Sequence, residues 1–271
     1  MTDNITKLFE EALVLDTETT GLDFKTAEVI EYSAASVMDT IKAVASEGEL
    51  NIPTDLYNPS SPLLPEVSAI TKISNRMIDA EAIGPFEDHL EPAQKTLNDH
   101  PYYIAHNAFY DKNVLERYGL ELPAQLCTMR LAKKLYADDT NVTGYGLAYL
   151  RYALDVPVPD DMPAHRADAD VKVTGLLFTI LVEKALADGH IDVDAEDLGL
   201  ALTDWLSAPV ITTIMPFGKH KGKKLEDVPI TYWQWAMDKM ESLDESKPEF
   251  DKDWAASVAI AVEKIFDEKD A

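Results

Sequence analysis

The chain has 271 residues, 46% of them hydrophobic and 27% charged, which excludes a disordered chain and allows one substantial core plus a smaller unit. Its 24 Lys and Arg face 49 Asp and Glu, a net charge of −25, the opposite of the basic footprint of a nucleic-acid binder. A lone Cys127 excludes an internal disulfide and fits a reducing compartment.

The first elements read as extended runs near Ala12 to Asp16, Val29 to Met38 and Leu50 to Tyr57. Helical patterns follow at Glu66 to Ile73 and Pro85 to Leu97, then an apolar run at Tyr102 to Ala105 leads into HNAFYD. After Asp170, apolar residues at Val173, Leu176, Leu177, Ile180, Leu181 and Leu186 keep helical spacing, and Gly189 marks the stop. Strands first, then alternating strands and helices, predict an α/β fold with a mixed sheet flanked by helices.

The predicted domains are 1–189 as the main domain, 190–210 as an acidic connecting segment ending at Ser207-Ala208-Pro209, and 211–271 as a small Lys-rich α+β unit. That unit opens on a strand-like ITTIMPF, turns through GKHKG and continues into TYWQWAMDKM. Trp233, Trp235 and Met237 fit either a base-stacking platform or, the favoured reading, the core of a small unit. The polar start MTDNITKLFE lacks the apolar core of a signal peptide, and Val171 to Val182 carries Lys172 and is too short to span a bilayer. A cytoplasmic protein without a membrane partner is expected.

Chemistry concentrates in three segments: Asp16 and Glu18 in VLDTETTGLD, Asp111 in YIAHNAFYDKNVL, and His165 with Asp170 in HRADAD. Residues two apart on a strand face the same side, so Asp16 and Glu18 project together from the end of an apolar run, where repulsion is costly unless a cation neutralises them. Hard oxygen ligands without a Cys cluster or a His pair suit Mg²⁺ or Mn²⁺ rather than zinc. Four carboxylates could hold two such ions, one lowering the pKa of an attacking water and the other stabilising the leaving oxygen, with a nearby His taking the proton. His165 and Asp170 are too far apart in sequence to share one helix face, so Asp170 is expected on the first turns of a helix and His165 on the loop feeding it. Taken singly, Asp16 reads as a turn residue, Asp111 as a helix-start acid and His165 as a surface residue. Their joint occurrence, in order, favours a nuclease centre.

On these residues the chain resembles the DEDDh family of 3′-to-5′ exonucleases, and within it the exodeoxyribonuclease X type. The resemblance spans roughly Leu13 to Ile180, including LLPEVSAITKISNRMI and LCTMRLAKKLY, and returns in IMPFGKHKGKKLEDV. It implies an RNase H-like fold on a five-stranded sheet, two Mg²⁺ ions held by Asp16, Glu18, Asp111 and Asp170, and His165 as general base. By motif position it also implies that the backbone at Thr19 meets the terminal 3′ hydroxyl and that Leu22 and Ile73 pack against the last bases, although core packing also fits both. The family usually has Phe before the second-motif Asp, where this chain has Tyr110 preceded by Phe109.

The expected substrate is the 3′ end of DNA, single- or double-stranded, with release of 5′-mononucleotides. RNA, a proofreading role beside a polymerase, and non-catalytic end binding are the alternatives. Phosphate contacts must be local, because distant charge is screened over about 8 Å at physiological salt. Lys72 and Arg76 flank Ile73, and Arg130, Lys133 and Lys134 follow the second motif. Lys219, Lys221, Lys223 and Lys224 crowd one stretch with no acid between them and are the favoured phosphate contacts.

Overall fold

The computed structural model describes residues 2–46, 51–215, 218–241 and 252–270. A five-stranded mixed sheet has the order β3-β2-β1-β4-β5. Strand β1 (Ala12–Thr19) pairs antiparallel with β2 (Val29–Ser36), which pairs antiparallel with β3 (Thr54–Leu56). On its other side β1 pairs parallel with β4 (Tyr102–Ala105), and β4 with β5 (Ala124–Cys127). The unbroken apolar run Ala12-Leu13-Val14-Leu15 is buried throughout, as a central strand covered on both faces requires.

In chain order the helices are α1 (Asp3–Glu11), α2 (Val37–Ala45), α3 (Pro65–Thr71), α4 (Asn75–Glu81), α5 (Leu90–Asn98), α6 (Phe109–Arg117), α7 (Thr128–Tyr136), α8 (Leu147–Ala153), α9 (Ala167–Ala187) and α10 (Leu198–Ser207). Of these helices, α1, α2 and α9 pack directly on the sheet strands. Helices α11 (Ile230–Glu241) and α12 (Lys252–Asp270) follow, and short 3-10 turns lie at Phe86–His89, Gly218–His220 and Leu225–Asp227. Among the described residues no helix is long and apolar enough to cross a membrane.

Several expected boundaries move for identifiable reasons. The run read as extended from Val29 to Met38 is strand only to Ser36, whose hydroxyl accepts from the Asp39 amide and caps α2. The third strand shrinks to Thr54–Leu56 behind Pro53, a short edge strand that limits outward pairing; Leu50 lies outside the described residues. The polar start folds as α1, with Thr2 as its cap and Ile5, Leu8 and Phe9 turned inward.

The chain divides into two compact units, Met1–Leu131 with Gly144–Trp205, and Ala132–Thr143 with Leu206–Ala271. Most of the expected connecting segment therefore packs as part of the first unit. Asn4 donates to the Val193 carbonyl at 3.1 Å, Tyr102 donates to Asp197 at 2.7 Å, and His190 stacks on Trp205 with ring centroids 4.9 Å apart.

In the second unit, Trp233 is fully buried with Met215, Leu225, Val228, Val258 and Ala261. The strand expected in ITTIMPF is reduced to one bridge, Ile214 to Lys224; Pro216 and Phe217 lie outside the described residues. The preceding amides are taken by side chains instead of a ladder: Val210 donates to Asp253, Thr212 to Ser257 and Thr213 to Asp138.

Helix α9 is apolar around most of its circumference and packs on β1, β2 and α2. Its approach to α2 depends on Gly175, where an added Cβ would collide with the Thr40 side chain. Thr40 cannot swing away freely because its hydroxyl donates to the Val37 carbonyl at 2.7 Å. Gly175→Ala is therefore expected to lower stability by about 1–3 kcal/mol through overpacking, read as a lower urea midpoint; an unchanged midpoint would show that α9 can shift without strain.

Candidate active site

Strand β1 carries Asp16 and Glu18 at alternate positions near the end where its pairing with β2 shifts register, between Glu18 and Thr19. Asp111 enters on the first turn of α6, directly after β4. The turn between them is fixed by Asn107 in the left-handed region, φ 63°, and by His106, whose ring nitrogens meet Thr128 Oγ1 at 2.9 Å and the Tyr145 carbonyl at 2.8 Å. Asp111 is buried and accepts from the Thr17 hydroxyl at 2.8 Å.

Asp170 sits on the first turn of α9, and His165 on the exposed loop before it. His165 is held left-handed at φ 60°, a conformation uncommon outside glycine, and its amide donates to Asp170 Oδ2 at 3.1 Å. Glu18, His165 and Asp170 each offer a ligand atom, and these atoms all lie within 4.8 Å of one another. Asp16 and Asp111 fall outside that trio, yet Asp16 feels the charges of Asp111, Asp170 and Glu18.

Burial is the main force on all four acids. It raises Asp16 well above its usual pKa, with Asp111, Asp170 and Glu18 adding to the rise. It lifts Glu18 to about 8 and Asp170 to about 7. Asp111 reaches about 6, restrained by the Thr17 hydroxyl and by backbone donors. Carboxylates that hold protons this tightly are crowded and under-neutralised, and an oxygen-rich anionic cluster of this kind fits a hard divalent cation.

Two residues outside the sequence-predicted set hold this arrangement. Glu31 pairs with Glu18 in the β1–β2 register and is fully buried. Arg166 answers it, with Nη2 at 2.7 Å and Nε at 3.0 Å from Glu31 Oε1, while the Ala167 amide donates to Oε2 at 2.8 Å. Glu31 thus anchors the start of α9 and, with it, His165 and Asp170. Arg151 braces the preceding loop by donating to the Pro159, Asp160 and Met162 carbonyls. The available signal for Glu31 was an acid inside VIEYSAAS; its meaning needed the strand register.

The residues expected around the substrate separate. Thr19 is buried, and its hydroxyl lies 2.5 Å from that of Tyr110, which also donates to the Gly21 carbonyl at 2.5 Å. Tyr110 thus ties down the loop after β1. Leu22 on that loop is 89% exposed, so core packing does not account for it. Ile73 is 0% exposed, enclosed with Ile30, Leu56, Leu63 and Ile78. That burial leaves Ile73 no surface for a base, and the contact expected of it is corrected to core packing. In the second unit Lys219, Lys221, Lys223 and Lys224 are exposed, with Lys224 3.3 Å from Glu226.

The exonuclease family model, of RNase T type, matches residues 13–178, and a model described as a putative quorum-sensing-regulated virulence factor matches residues 205–240. Exodeoxyribonuclease 10 of Escherichia coli strain K12 is 28% identical over 241 residues, covering 85% of this chain and 92% of the relative. The 3′-5′ exonuclease DinG of Bacillus subtilis strain 168 is 33% identical over 179 residues, 64% of this chain but 18% of that protein. The structure of exonuclease X in complex with 5′ overhanging duplex DNA aligns with a TM-score of 0.51 at 25% identity, covering 70% of this chain and 99% of that one. With more than half of its length matched and the mixed sheet and carboxylate cluster in place, the chain belongs to the exonuclease family and is a 3′-to-5′ exonuclease of the DEDDh type.

Proposed function

We propose that the protein is a metal-dependent exodeoxyribonuclease that removes 5′-mononucleotides from DNA 3′ ends. The observation that carries this reading is the convergence of Glu18, His165 and Asp170 within 4.8 Å, beside Asp16 and Asp111 in one electrostatic cluster. DNA is chosen over RNA because the relative aligned over most of both chains is an exodeoxyribonuclease. A cytoplasmic setting accords with the single cysteine.

Asp16, Glu18, Asp111 and Asp170 are assigned as ligands for two Mg²⁺ ions, with Mn²⁺ as a substitute. Such ions, when bound, supply activation of water and neutralisation of charge at the scissile phosphate. His165 accepts the proton of the attacking water; its exposed position lets it meet the substrate. The amide of His165 stays on Asp170, so the base and a ligand keep a fixed separation. Leu22 packs against the terminal base, Thr19 presents backbone to the 3′ hydroxyl, and Lys219, Lys221 and Lys223 contact phosphates. Lys224 is a weaker member of that set because Glu226 shares its charge.

Incubating 5′-labelled oligodeoxynucleotide with Mg²⁺ should give a descending ladder that EDTA or Asp16→Ala abolishes. Internal cuts, or none, would sink the reading.

The carboxylates also predict a pH signature. Their folded pKa values lie above unfolded values near 4, so in metal-free protein the folded state holds more protons, and stability is lost as pH rises through about 6 to 8. Asp170→Asn removes one such charge and keeps an acceptor for the His165 amide. In EDTA its melting temperature should exceed the parent's at pH 8 by an amount equivalent to about 1–3 kcal/mol, with the gap closing near pH 4. A gap that does not change with pH would contradict the assigned crowding.

Tyr110→Phe restores the family residue but removes the hydroxyl that holds Thr19 and the Gly21 carbonyl. It is expected to cost about 1 kcal/mol of stability and to raise KM several-fold more than it lowers kcat. A loss confined to kcat would mean that the loop does not position substrate.

A further inference from the structure

The second unit contains an open hollow of about 360 Å³ lined by Lys219, His220, Pro229, Thr231, Tyr232 and Trp235. Trp235 is 58% exposed, whereas Trp233, two residues earlier on α11, is fully buried and bonds the Leu225 carbonyl. The fold therefore uses one tryptophan as core and leaves the other facing solvent, an unusual placement for so large an apolar surface. Tyr232 and Trp235 are three apart on a helix and adjacent in space, with ring centroids 5.4 Å apart at 48°.

Positive charge borders these rings. Lys219 Nζ lies 5.8 Å from the centre of the Tyr232 ring, and exposed Lys221 and Lys223 follow on the same turn without an acidic partner among the described residues. His220 packs edge-on to Tyr232 with centroids 5.0 Å apart, and neither of its buried ring nitrogens has a hydrogen-bond partner among the described residues. Burial and the adjacent Lys219 and Lys223 keep its pKa below the ordinary value. The exposed Trp235 beside the half-buried Tyr232, bordered by lysines without an acidic partner among the described residues, matches a polyanion that carries flat faces, and the faces of bases are open only in single strands.

We propose that this hollow binds single-stranded DNA, with a base stacked on Trp235 and Tyr232 and neighbouring phosphates held by Lys219, Lys221 and Lys223. The choice of DNA rests on the exonuclease reading. The site gives the second unit a strand-holding role separate from hydrolysis, and it supplies local positive charge on a chain with a net charge of −25.

Anisotropy of a labelled oligo-dT with the full chain in EDTA measures the site without cleavage. Trp235→Ala should raise Kd about tenfold, within the range for loss of one stacked base, and Trp235→Phe should recover most of the affinity. Replacing both Lys221 and Lys223 by Ala should raise Kd and reduce the slope of log affinity against log salt by about 1.4. Blunt duplex should show no response to Trp235→Ala. Unchanged Kd and salt slope in these variants, or an equal response with blunt duplex, would overturn the proposal. The parent protein's Mg²⁺-dependent ladder tests the nuclease reading separately: a normal ladder with unchanged binding rejects the stacking site and the phosphate contacts of Lys221 and Lys223 but leaves hydrolysis standing, and absence of the ladder rejects the nuclease reading.

Discussion

Everything near the centre of the first unit depends on the burial of like charges. Asp16, Glu18, Asp111 and Asp170 gather with Glu31 at the inner strands, and desolvation is the largest force on each of the first four. A protein tolerates such a cluster only with compensation, and Arg166 on Glu31 supplies part of it. The remainder is an unmet demand for positive charge, which divalent ions satisfy in the proposed mechanism.

The surrounding fold meets that cost with rigidity. Two of the proposed ligand positions lie on a central strand buried on both faces, one on the first turn of α6 and one on the first turn of α9. These elements are fixed by tight contacts, including the close approach of α9 to α2 at Gly175 and the pairing of Arg166 with the buried Glu31. His165 stands apart, exposed and left-handed on a loop, but tethered through its amide to Asp170. The division suits a centre in which ligands must keep their spacing while the proton acceptor meets a substrate arriving from solvent.

The excess of acids and the nucleic-acid chemistry of the family are reconcilable because electrostatic attraction is local. At physiological salt a charge is largely screened beyond about 8 Å. The stretch from Lys219 to Lys224 concentrates cations beside the exposed Trp235 and the half-buried Tyr232, whereas acids elsewhere favour solubility. Overall charge therefore bears on solubility and non-specific attraction, and less on whether one surface can hold a phosphate backbone.

Sequence alone carried the periodic and punctuated features: the apolar run ending in Asp16 and Glu18, the helix after Asp170 stopped at Gly189, and the ordered motifs that mark the family. These are legible because backbone periodicity and motif spacing are local properties of a chain. It did not carry the role of Glu31, which depends on its register opposite Glu18, or the core placement of Ile73 against the exposure of Leu22, since both are apolar and only packing separates them. Nor did it assign Trp233 to the core and Trp235 to solvent, because two residues of one type on one helix differ only in what the rest of the fold brings against them. Local order was written in the residues, and tertiary contact, which sets desolvation and neighbouring charge, decided which of them stayed within reach of a ligand.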